Sequence, residues 1–60
     1  MNKISKFLFE ESIKNHPKVS ELIMNARDKF NVSENEIIVE LSSLLEDKLV
    51  ISKHLRLYKK

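Results

Sequence analysis

The side chains that could do chemistry are few, and their spacing decides against most of it. His16 and His54 are the only histidines, and the chain has no cysteine. Neither histidine has a partner at metal-ligand spacing, so no metal site is expected. His16 is expected to cap the second helix or to lie in solvent. Ser42-Ser43 lacks the flanking glycines of a nucleophile elbow. Glu10-Glu11 and Glu46-Asp47 are neighbours in sequence, and helical neighbours diverge, so each pair reads as surface charge before it reads as an acid/base couple. With no glycine anywhere, a phosphate-cradling loop is excluded. A chain of 60 residues has little room for a deep pocket beside its core. No catalytic residue, no cofactor and no enzymatic activity are expected.

Charge remains, and its layout is the informative feature. Residues 34–47 hold Glu34, Glu36, Glu40, Glu46 and Asp47 without a single Lys or Arg. Residues 48–60 hold Lys48, Lys53, Arg56, Lys59 and Lys60 without a single acid. The formal net charge of +2 conceals both blocks.

Those blocks must be positioned by some set of elements, and hydrophobic spacing supplies it. Ser33 and Glu36 form an S-x-x-E capping box. Ile37, Ile38, Leu41, Leu44 and Leu45 then follow on one helical face, which predicts a helix from Glu34 to about Glu46. Upstream, Val19, Leu22, Ile23, Ala26 and Phe30 recur at helical spacing, with Pro17 suited to the first turn and Asn31 to a left-handed stop. Val32 is expected to pack under the turn that follows. A first helix is expected from about Lys3 to Lys14. Ile4, Phe7 and Leu8 share one face of it, and Phe9 and Ile13 define another. His16-Pro17 must break it, because the residue before proline avoids the helical region.

After Asp47 the periodicity changes to alternation. Leu49, Ile51, Leu55 and Leu57 can point one way while His54, Arg56, Tyr58 and Lys60 point the other. That predicts two short strands joined near Ser52-Lys53. One long strand is the alternative, since the turn has no Gly, Asn or Asp. The fold class is therefore mainly α with a short β-hairpin, in one domain spanning residues 1–60. The longest apolar runs, Phe7–Phe9, Ile37–Val39 and Leu49–Ile51, fall far short of the ~20 residues a bilayer helix needs. Glu10 and Glu11 end the only signal-like stretch, so a cytoplasmic location is expected.

Two segments carry a resemblance to a known family. "VSENEIIVELSSLLEDKLVISKHLRLYKK", Val32 to Lys60, has a capped helix running directly into a basic hairpin, and "VSELIMNARDKF", Val19 to Phe30, stands as the helix before it. The pattern resembles the winged helix-turn-helix superfamily. The resemblance implies a compact three-helix winged-helix-like domain and a small, non-enzymatic regulatory protein that binds double-stranded DNA, as in transcription. The family usually has glycine where this chain has Asp47-Lys48, and the third helix here, which would be the recognition helix, is acidic.

That acidity biases where DNA contacts would fall. Duplex DNA has about one negative charge per 1.7 Å of axis, and affinity comes largely from neutralising phosphates. The third helix is expected to expose Asn35, Val39, Ser42 and Ser43 beside Glu36, Glu40 and Glu46. Asn35 could read adenine, for about 1–3 kcal/mol, yet those glutamates disfavour insertion into the major groove. The hairpin has the opposite sign. Lys53, Arg56, Lys59 and Lys60 are the expected phosphate contacts, Tyr58 and His54 the expected sugar or base contacts, and Lys18 a supporting one. The bland reading of both blocks is solvated surface.

An alternative from another class uses the other block. Glu36, Glu40 and Glu46 would bind a basic protein surface, making the chain a small inhibitor or adaptor. Phe9 is either core or, with Ile13, an exposed stripe suited to a partner groove or a homodimer through the first helix. Head-to-tail self-association, acidic helix against basic hairpin, is a third reading.

Overall fold

Asn2 opens the first helix by accepting the Ser5 amide on its side chain at 2.8 Å. The computed structural model describes all 60 residues. From that cap, α1 runs Lys3–Asn15 and is followed by α2, Val19–Phe30, α3, Glu34–Asp47, and the strands β1, Leu49–Ile51, and β2, Leu57–Lys59. The molecule is mainly α with a short antiparallel hairpin, as the sequence pattern predicts. No helix is long and apolar enough to cross a membrane.

The helix ends follow local chemistry. His16 stops α1 in the left-handed region, at φ 49°. Asn31 does the same for α2, at φ 54°, and its amide closes the helix on the Arg27 carbonyl at 2.8 Å. Ser33 caps α3 through the Glu36 amide at 3.3 Å. α3 ends without a left-handed residue, since Lys48 stays right-handed at φ −115°. That is why Asp47-Lys48 needs no glycine here.

Pro17 corrects one expectation, because it lies before α2 and not in its first turn. Pro17 and the extended Lys18 lead into α2 and pair with the hairpin. The Leu57 amide donates to the Pro17 carbonyl at 3.0 Å and the Val19 amide to the Leu55 carbonyl at 2.9 Å. Lys18 and Arg56 form an antiparallel bridge between them. An edge position of this kind tolerates proline's missing N–H. The bond from Val19 also satisfies one of the orphan amides at the start of α2, and Lys18 makes no side-chain cap there.

The core gathers one or more residues from every element. Leu8 comes from α1, Leu22 and Ala26 from α2, Ile37, Leu41 and Leu44 from α3, and Leu49 and Leu57 from the two strands. Phe7 and Phe30 meet edge to face at 5.6 Å over this cluster, and Phe9 and Val32 pack against it half-buried. Ile38 does not join the core and is 39% exposed. Adjacent helical residues diverge by about 100°, so α3 can direct Ile37 or Ile38 fully inward but not both. Ser12, fully buried, donates to the Leu8 carbonyl at 2.7 Å.

The hairpin pairs Leu49 with Lys59, Val50 with Tyr58 and Ile51 with Leu57. Its turn is fastened by a serine. The Ser52 hydroxyl accepts the amides of His54 and Arg56 at 3.3 and 3.2 Å, an interaction through which serine favours turns. The Ser52 carbonyl accepts from Leu55, and the Ser52 amide donates to Arg56. Lys53, His54 and Leu55 thus form a three-residue loop whose last member is left-handed, at φ 63°, the position where such loops favour glycine. Leu55 therefore departs from the expected alternation. It is 63% exposed, and Ile51 beside the turn is 43% exposed.

Candidate nucleic-acid interface

β2, the residues flanking it and its turn carry the residues that the sequence pattern assigns to nucleic-acid contact, Lys18 apart, but not on one face. Alternation along the strand places Arg56, Tyr58 and Lys60 on one side of the hairpin and Lys59 on the other. Lys53 and His54 sit at the turn, exposed.

Each of the first three is also engaged within the fold. The Arg56 guanidinium donates to the His16 carbonyl at 2.9 Å. Arginine has five N–H donors, so that one bond leaves most of the fork available. The Tyr58 ring stacks on His16, with centroids 4.2 Å apart and planes 20° from parallel. One face of the tyrosine is therefore occupied, and a base could stack only on the other. Lys60 donates to the Glu46 carbonyl at 3.2 Å. α3 has no base in its last turn, and Lys60 supplies from outside the cation that a helix C-terminus favours.

His16 is the residue that sequence reasoning placed wrongly. It caps neither α2 nor open solvent, but ends α1 and packs against the strand. Its Nδ1 lies 3.2 Å from the Leu57 carbonyl, which can only accept, so that nitrogen carries the proton in this arrangement. The one available signal, a histidine before proline, announces a helix stop but not a partner 42 positions away.

Apart from Lys60, the lysines are free of such bonds. Lys53 and Lys59 make no side-chain hydrogen bond or ion pair, and neither do Lys18 and Lys48. The molecule's one ion pair is Arg27–Glu34, at 3.8 Å and well exposed. Lys18 and Arg56 are cross-strand partners and so project to the same side. With Lys53 at the turn, they place three cations around the tip of the hairpin.

The acidic block is distributed differently. Glu40 is a clasp between helices. Its carboxylate accepts the Ser5 hydroxyl at 2.6 Å and the Asn2 amide nitrogen at 2.9 Å. The Ser5 bond above all, with Asn2 and the N-terminal charge adding to it, holds this carboxyl below its ordinary value of 4.5 against the opposing effect of burial. Glu36 and Glu46 remain exposed. Phe9 is half-buried on the core, leaving Ile13 as the exposed apolar residue of that α1 face. Compared with protein-family models, curated proteins and solved structures, the chain matches none.

Proposed function

We propose that this chain is a small, non-enzymatic, cytoplasmic DNA-binding regulatory protein of winged-helix type, touching duplex DNA through its hairpin and not through α3. Three helices leading into an antiparallel hairpin are compatible with that family. The observation that carries the reading is the unneutralised cation cluster at the hairpin tip. Lys18 and Lys53 have no internal partner, and Arg56 keeps free donors beside them.

The acid on α3 works against the major-groove alternative. Glu34 and Glu36 occupy its first turn, where the helix dipole favours them and where a recognition helix would approach phosphates. At the hairpin the field has the opposite sign, so phosphates are drawn to Lys18, Lys53 and Arg56, with His54 at the turn and Lys59 toward its base. Lys60 contributes less, because its ammonium already serves the end of α3. The adaptor reading through Glu36, Glu40 and Glu46 is weakened in the same way, since Glu40 is held by Ser5 and Asn2.

Fluorescence anisotropy on a labelled mixed-sequence duplex tests the proposal. The Lys18→Ala, Lys53→Ala double variant is expected to weaken binding across all sequences, because phosphate contacts carry no sequence information. Wild-type protein that fails to bind at low salt, or a double variant that binds as tightly as wild type, overturns it.

A further inference from the structure

A groove of about 630 Å³ runs between the outer side of α2 and the hairpin tip, within the ~300–1,000 Å³ range of binding clefts. Val19, Ile23 and Met24 line it from α2, and Ile51 and Leu55 from the hairpin. Met24 is 56% exposed, and Ile51 and Leu55 are comparably open. Val19 and Ile23 form the half-buried floor against the core, and Met24, Ile51 and Leu55 stand exposed around it.

Leu55 is the most informative member. Its backbone is left-handed, at φ 63°, and glycine would hold that turn position without the steric penalty a side chain brings. The backbone cannot swing away, because the Leu55 carbonyl is fixed to the Val19 amide at 2.9 Å. A bulky apolar side chain in a disfavoured conformation, pointing into a solvent-open groove, gains nothing for the core. Strain of this kind directs attention to what the side chain touches.

Charge identifies the occupant. Lys18 and Arg27 line the groove, as does Glu34, but Glu34 already faces Arg27 at 3.8 Å. That pair cancels, so the unneutralised charge at the rim is the Lys18 ammonium. An apolar floor offers nothing to a phosphate backbone, so the groove is distinct from the DNA contacts and shares only Lys18 with them. We infer that it binds an amphipathic helix of a partner protein. The helix's apolar stripe would fill the space between Met24 and Leu55, and its flanking aspartates or glutamates would meet Lys18.

Chemical-shift mapping on the isotopically labelled full chain tests this with two synthetic helical peptides. Both carry leucines at i, i+3, i+4 and i+7, one with glutamates flanking the stripe and the other with lysines. The glutamate peptide is expected to shift the amides of Val19, Ile23 and Leu55, and to bind at least about tenfold more tightly than the lysine peptide. Leu55→Gly relieves the backbone and removes the wall, so it should melt higher than wild type while binding the glutamate peptide about tenfold more weakly. Met24→Glu, at an exposed site, should keep the fold and also weaken binding. Equal affinity for the two peptides, no shifts at millimolar peptide, or unchanged affinity in folded Leu55→Gly would each overturn the inference. So would concentration-dependent dimerisation that Met24→Glu abolishes, which would assign the groove to a second copy of this chain.

Discussion

The acidic α3, with five acids, and the basic hairpin, with four bases, lie side by side in sequence and scarcely pair with one another. Their difference is one of use. Three of the five acids of α3 serve the fold: Glu40 ties α3 to the start of α1, Glu34 faces Arg27, and Glu36 sits in the first turn, where the dipole favours it, while Glu46 and Asp47 stay exposed. Of the hairpin's cations, Arg56 and Lys60 each donate to a helix-terminal carbonyl, while Lys53 and Lys59 reach solvent unpaired. The Glu40 carboxylate, held by two internal bonds, has little left for a partner, whereas Arg56 keeps free donors beyond its one bond, so similar sequence blocks support unequal functional readings.

The comparison breaks first if the hairpin is detached. Leu57 is fully buried between the helices, and Leu57→Ala is expected to cost about 2–5 kcal/mol. In a domain this small that should leave much of the population unfolded at room temperature, as circular dichroism in a urea series would show. A stability loss under about 1 kcal/mol would mean that the hairpin is an appendage and not part of the core.

A smaller effect of opposite sign is expected at the turn. A left-handed residue with a side chain costs roughly 1–2 kcal/mol, so Leu55→Gly should raise stability by up to about 1 kcal/mol after the added flexibility of the unfolded chain is offset. A lower melting temperature would show that the Leu55 side chain stabilises the fold.

Glu40 sharpens the comparison from the acidic side. Its folded-state pKa is depressed, so its contribution is fully present above the ordinary value of 4.5 and is lost as pH falls from there through the lowered folded value. Acid titration of stability should therefore show a decline below that value, and Glu40→Gln should flatten it. A Glu40→Gln variant whose acid limb matches wild type would make Glu40 one surface carboxylate among several.

Legibility in the sequence tracks how local the interaction is. Ser33, Asn31 and the spacing of α2 and α3 act within a turn of helix, and those features follow the pattern closely. The capping box forms only by half, through the Ser33 hydroxyl. Asn2 is an equally local cap, and its asparagine type could have marked the start of α1. What the pattern does not reveal is long-range. Nothing near Pro17 indicates that it faces Leu57, and nothing near His16 indicates a stack on Tyr58. Leu55 fails for a different reason, since no leucine signals a left-handed turn and the serine that fastens the loop stands three residues earlier. The cation set was readable in full. Its division between the two sides of the hairpin depended on a turn length that no residue advertised.

The smallest expected effect on stability belongs to the free lysines. Lys53→Ala should change it by no more than about 0.5 kcal/mol, while lowering the salt dependence of any duplex binding.

That salt dependence tests the account most directly. With Lys18, Lys53 and Arg56 on phosphates, the logarithm of the binding constant should fall against the logarithm of salt concentration with a slope of about −2.7, roughly a 40-fold loss between 50 and 200 mM. Replacing Lys18 and Lys53 with alanine should reduce the slope to about −0.9. Binding that ignores salt, or a slope that the double variant leaves intact, would contradict the assignment of the hairpin tip as the surface that meets DNA.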